Sequence, residues 1–145
     1  VVNLYCSTYE EGYKPEFAFD FNDHKKRFAS QNLPNSYITI DFKDHPVILT
    51  DYKLQTYDYG QNDSHLRSWK IQGSNDNINW EDIDIANKNC DKLNGYLRCR
   101  LFSIPKENVK KFKYIKLLQY EPNWGGNNWL TLSSIEFYGS LTNFD

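Results

Sequence analysis

The sequence predicts an all-β domain, a jelly-roll β-sandwich, and three observations carry that prediction. The 145 residues hold a core rich in rings and branched aliphatics, with 17% aromatic residues and no Met, a composition that suits pleated surfaces better than helices. Short runs of alternating apolar and polar residues recur along the chain, separated by Gly, Pro, Asn and Asp, which is the signature of strands and turns. Helical periodicity is weak throughout. The length fits one domain, 1–145, with a single core.

The runs follow in order. "SYITIDF" (36–42) places Ile38, Ile40 and Phe42 on one face. "PVILTDYKLQT" (46–56) opens on Pro46, tolerated where no ladder donor is needed. "RSWKIQG" (67–73) sends Trp69 and Ile71 inward, and "YLRCRLF" (96–102) groups Leu97, Cys99 and Leu101 on a common face. "FKYIKLLQY" (112–120) is apolar on both faces, as a central strand would be, and "LSSIEFYG" (132–139) turns Ile135 and Phe137 inward. "PKENVKKF" (105–112) offers one helical turn opened by proline. Trp69, Trp80 and Trp129 are read as core, since each lies in or leads into a strand.

Bulk charge narrows the function. A net charge of −2 argues against a nucleic-acid domain, whose affinity rests on phosphate neutralisation. No apolar run is long enough to span a membrane. Cys6, Cys90 and Cys99 are odd in number and form no C-x-x-C, which points to reduced thiols and an intracellular, cytoplasmic setting, although Cys90 and Cys99 could meet across a bend. His24, His45 and His65 lack ligand spacing for zinc. No nucleophile elbow, phosphate loop or kinase signature occurs, so the domain is expected to be no enzyme.

One segment is more specific than its strand pattern. "LRSWKIQGSNDNINWEDID" (66–84) reads as strand, turn and return strand, with Asn77 where the turn wants a positive φ. It resembles the S-x-D-G-x-x-W hairpin of the discoidin, or coagulation factor 5/8 type C, family, with Asn77 in place of Gly. "YITIDF", "FKYIKLLQY" and "LSSIEFYG" resemble further strands of that family in the correct order, so the resemblance covers residues 18–139. The lead-in "YGQNDSHLRSWKI" (59–71) is closest to the variety fused to intracellular BTB adaptor proteins. The resemblance implies a galactose-binding-like jelly roll that binds a ligand and performs no chemistry.

It further implies that three loops gather at one end: 22–35, 57–65 and 121–129. The ligand-binding residues expected there are Trp124, Tyr59, Tyr57, His65, His24, Arg27, Asn123 and Asn127. They combine aromatic faces for stacking with polar groups to fix orientation. The expected partner is a protein in an adaptor, with a saccharide as the alternative and a phospholipid headgroup third. Trp124, between Asn123 and Gly125, either waits for that partner or is folded under by its own loop. Family members that hold calcium do so near a stretch matching "AFDFNDHKK" (18–26), where Asp20 and Asp23 persist. Lys25, followed by Lys26, stands in the place of Thr, and Ser134 stands in that of a Glu ligand, so no cofactor is expected. Ser140 follows Gly139 where the family's second terminal cysteine would stand, which leaves Cys6 without that mate.

Overall fold

The computed structural model describes residues 2–21 and 25–143; His24 and Asp23 lie outside them. Among the described residues there are eleven strands: β1 (Asn3–Cys6), β2 (Phe28–Ala29), β3 (Tyr37–Asp41), β4 (Val47–Gln55), β5 (Trp69–Ser74), β6 (Glu81–Asp84), β7 (Cys99–Ser103), β8 (Lys111–Phe112), β9 (Tyr114–Gln119), β10 (Thr131–Leu132) and β11 (Ser134–Leu141). Short 3-10 turns are the only helical elements among the described residues, and one of them, Lys106–Asn108, follows Pro105 as the sequence suggests.

The strands form two main sheets with a core between them. One runs β1-β3-β9-β5-β6; the other runs β11-β4-β7, with β8 also paired to β4. All ladders are antiparallel. β9 lies between β3 and β5, which explains its apolar character: Ile115 and Leu117 enter the core, while Leu118 and Lys116 cover the outer face. The inward rows Ile38/Ile40, Trp69/Ile71 and Ile115/Leu117 meet Leu49, Tyr52, Leu54 and Ile135 from the other sheet.

β4 changes phase along its length, burying Val47 and Leu49 and then Tyr52 and Leu54. The cause is a bulge: Tyr138 faces Asp51 but Gly139 faces Leu49, so Thr50 is the extra residue. The bulge also dictates Gly139. Its φ is +151°, and a Cβ there would fall 2.0 Å from the Ile48 carbonyl oxygen, a clash no side chain survives.

Under Trp69 lies a closed polar network. The Trp69 Nε1–H donates to the Tyr52 hydroxyl (2.9 Å), which donates to Asp84 Oδ2 (2.6 Å). Asn87 Nδ2 donates to both oxygens at 3.2 Å, and the Ala86 amide donates to Asp84 Oδ1 (3.3 Å). Burial, followed by the Asp84 carboxylate, drives the Tyr52 phenol far above its usual range, so it remains a donor. The 74–79 turn is tied equally well: Ser74 Oγ accepts from the Asp76 and Asn77 amides, Asp76 Oδ1 accepts from Ile78 and Asn79, and Asn77 takes φ +60°.

Three expectations need correction. On β7 it is Phe102 that faces the core, whereas Cys99 and Leu101 are exposed. Tyr52 opposite Phe102 sets that register, and the rings stack 5.3 Å apart, a larger apolar gain than Leu101 offers. Trp80 is only half-buried; it lies on the outer face of the five-stranded sheet, with the Lys116 ammonium 3.9 Å over its ring. Trp129 is 36% exposed, for a reason that defines the site below. The three cysteines are free thiols, with Cys6 and Cys90 half-buried and Cys99 exposed.

Candidate functional site

A two-stranded ribbon, β2 with β10, closes one side of the sandwich. Its register pairs Thr131 with Ala29 and Leu132 with Phe28. Side chains alternate across a strand, so Phe28, Leu130 and Leu132, all fully buried, enter the core. Arg27, Ala29, Trp129 and Thr131 are left to line the floor of an open cleft of about 340 Å³. Trp129 is outside the core because Leu130 takes the inward position.

The remaining walls come from two segments. Residues 57–65 contribute Tyr57, Tyr59, Asp63 and Ser64, and residues 10–13 contribute Glu10, Glu11 and Tyr13. The second segment is a tight turn: the Tyr13 amide donates to the Glu10 carbonyl (2.9 Å), and Gly12 sits third with φ +86°, as a type II turn demands. Hydrogen bonds from the Glu10 amide to the Ala29 carbonyl and from the Ala29 amide to the Tyr13 carbonyl dock the turn on β2.

Arg27 is the centre of the cleft. Its guanidinium carbon lies 4.6 Å from the Tyr13 ring, 4.5 Å from the Tyr57 ring and 5.4 Å from the Tyr59 ring. Aromatic rings at these distances attract a guanidinium through their negative faces. The Arg27 Nε–H is shielded from water and has no acceptor among the described residues. Tyr59 is 50% exposed and Tyr13 is 36% exposed, so both offer ring faces to solvent. The Trp129 Nε1–H reaches Glu10 Oε1 at only 3.5 Å, which leaves both groups with capacity to spare.

The support beneath is rigid. The Tyr57 hydroxyl donates to Asp63 Oδ1 and accepts from the Ser64 amide (3.1 Å). Burial, followed by the bond to Asp63, pushes the Tyr57 phenol well above its ordinary range. Burial works to raise the Asp63 pKa as well, but the Tyr57 hydroxyl and Ser64 N–H, aided by the Arg27 charge, outweigh it and hold the carboxyl below its usual value. Thr131 Oγ1 donates to the Ser64 carbonyl (2.6 Å), locking the 57–65 loop to β10.

The structure brings Arg27, Tyr57 and Tyr59 together at the cleft and takes the other expected residues elsewhere. His65 is fully buried; its Nε2–H donates to the Tyr59 (3.0 Å) and Gly60 (2.7 Å) carbonyls, so it shapes the loop instead of meeting a ligand. Asn123, 2% exposed, accepts from the Gly125 amide and donates to Asn127 Oδ1 and the Trp129 carbonyl. Asn127 Oδ1 also accepts from Ser64 Oγ (3.2 Å). Both asparagines are spent on building the loop. Trp124 is half-buried on another side, its Nε1–H donating to the Cys90 carbonyl (3.0 Å) and its ring covered by Arg67 at 5.7 Å. The loop has folded back on that indole, and Trp129 takes the cleft position expected of Trp124. The residues that sequence reasoning missed are Trp129, Glu10, Glu11 and Tyr13. "EEGY" with Gly third was a turn signal, and the alternation in "NWLTLS" (128–133) would have put Trp129 opposite Leu130.

Among the described residues Ser64 and His65 are not aligned as a nucleophile and base. Ser64 Oγ turns to Asn127, and the adjacent His65 has committed Nε2 to carbonyls. Among the described residues no three His, Cys, Asp or Glu side chains are grouped to hold a metal. Asp20 accepts from Lys26 Nζ at 3.3 Å. No helix among the described residues is long and apolar enough to cross a membrane.

Cleft and fold together define a galactose-binding-like β-sandwich with its exposed aromatics at one edge. The chain belongs to the F5/8 type C domain family, whose profile matches residues 3–135. It is 25% identical over 142 residues to the E3 ubiquitin-protein ligase hecd-1 of Caenorhabditis elegans, covering 97% of this chain and 5% of that protein. Among solved structures it resembles CBM32-3 from a family 31 glycoside hydrolase of Clostridium perfringens, with a TM-score of 0.75 and 18% identity over 96% of this chain and 91% of that one. It also resembles a CBM32 module of Clostridium perfringens in complex with GalNAc-β-1,3-galactose, with a TM-score of 0.72 and 13% identity over 95% of each chain.

Proposed function

We propose that this domain is a non-catalytic binding module whose ligand is a saccharide held in the Arg27 cleft. The observation that carries the reading is a guanidinium set against the Tyr13 and Tyr57 rings, beside the exposed faces of Trp129 and Tyr59. A sugar ring has an apolar face that stacks on such rings and hydroxyls that accept from Arg27. The walls are already set by backbone hydrogen bonds, so little ordering is needed on binding. The likeness to a module crystallised with GalNAc-β-1,3-galactose supports the same reading.

A second reading is a protein partner within a larger intracellular adaptor, as the likeness to BTB-fused domains implies. The similarity to a worm E3 ubiquitin ligase, spread over 97% of this chain, favours it. In that case the cleft receives a peptide side chain. A glycan array and a lysate pull-down, each run with wild type and Trp129→Ala, separate the two. Glycan signals lost in the variant support the saccharide. A blank array beside a protein captured only by the wild type overturns it in favour of the second reading.

A further inference from the structure

The charges around the cleft select among saccharides. One guanidinium, Arg27, stands against three carboxylates, Glu10, Glu11 and Asp63. Asp63 is engaged with the Tyr57 hydroxyl and the Ser64 amide. Among the described residues Glu10 is bound to nothing stronger than the 3.5 Å contact with Trp129 Nε1, and Glu11 lies on the exposed side of the tight turn. The cleft lining therefore combines a guanidinium donor with carboxylate acceptors. A hydroxyl group, which both accepts and donates, is chemically matched to both. A sugar carboxylate satisfies Arg27 but can donate nothing to Glu10 and repels it.

We infer, on the basis of the saccharide reading above, that the cleft is selective for uncharged sugars and excludes uronic acids, with Glu10 and Glu11 as the excluding groups and Arg27 as the orienting donor. Among the described lining residues the carboxylates outnumber the guanidinium, so an acidic sugar meets net repulsion on approach as well as at the binding position.

The test uses the intact domain with matched neutral and C6-oxidised ligands: methyl β-galactoside against methyl β-galacturonoside, and methyl β-glucoside against methyl β-glucuronoside, titrated by NMR at pH 7. Each neutral glycoside should bind about tenfold more tightly than its uronic counterpart. The ratio should shrink when salt is raised from about 0.01 M to about 1 M, because screening weakens exposed charges. It should also shrink in the Glu10→Gln/Glu11→Gln double variant, whose fold is checked by thermal melt. A uronoside that binds as well as its neutral partner overturns the inference and leaves the saccharide reading standing. Discrimination that persists unchanged in high salt and in the double variant overturns it too, because the cause would then be shape. If no glycoside of either charge binds, the saccharide reading falls and the inference falls with it.

Discussion

The core beneath Trp69 and the cleft beside Trp129 are built from the same materials, an indole, tyrosines and carboxylates, yet they are finished to opposite standards. In the core each polar handle is closed: indole to phenol at 2.9 Å, phenol to carboxylate at 2.6 Å, carboxylate to amides. In the cleft the indole bond is stretched to 3.5 Å and the Arg27 Nε–H has no acceptor among the described residues. Burying polar groups is tolerable only when they are paired. Unfinished pairing beside Trp129, in a region whose backbone is firmly hydrogen-bonded, supports the proposal that the cleft binds a ligand.

The comparison can be broken most decisively at Trp69. Trp69→Ala leaves a cavity against Phe102 and strips a donor from the Tyr52 hydroxyl, so it should cost about 3–5 kcal/mol in denaturant melts. A loss under about 1 kcal/mol would mean that the closed network contributes little to stability. The matching change, Trp129→Ala, should leave stability within about 1 kcal/mol, as surface changes do. It should weaken saccharide binding by about 2 kcal/mol or roughly thirtyfold, the loss typical of an aromatic anchor. Equal stability losses in both variants would erase the distinction between core and cleft.

Trp124 sharpens the contrast from between. Its ring is half-buried and its Nε1–H is used, so Trp124→Ala should cost about 1–2 kcal/mol in stability through the lost hydrogen bond and packing. Ligand affinity should hardly change, and a binding loss as large as that of Trp129→Ala would return Trp124 to the site.

Smaller still is the effect of acid on the 74–79 turn. Backbone N–H groups of Asn79 and Ile78 hold the Asp76 carboxyl well below the usual carboxylate range. A lowered pKa contributes stability that is complete above the ordinary carboxylate value and is lost as pH falls towards the folded value. Amide exchange at Ile78 and Asn79, corrected for its intrinsic pH dependence, should speed up only in strong acid; loosening already at pH 5 would contradict the hydrogen-bond account. Least of all should chelator matter. A calcium site saturated at about 100 times its dissociation constant would contribute roughly 2.7 kcal/mol, so a drop of several degrees in Tm with chelator would require a site that we do not propose.

Much of this was legible in the residues. The alternation of 36–42 and 67–73 located β3 and β5, and Asn77 did occupy a positive φ. Arg27, Tyr57 and Tyr59 were correctly drawn to one place. What escaped was which side of each loop faces outward. The β7 face was misjudged because Leu101 and Phe102 are both apolar, and only the partner strand decides which of them turns in. Trp124 and Trp129 share a loop of similar composition, and local pattern could not say which indole would find a covering surface.

The sequence by itself determined the strand series, the turn chemistry and the aromatic core, because these depend on neighbours a few residues apart. Only the tertiary structure decided the cleft. Glu10, Arg27, Tyr57 and Trp129 are far apart along the chain and meet because antiparallel pairing of β2 with β10 and docking of the 10–13 turn on Ala29 bring them together. Those contacts are long-range. Their geometry follows from the register between strands, and register is settled by the packing of the whole sandwich.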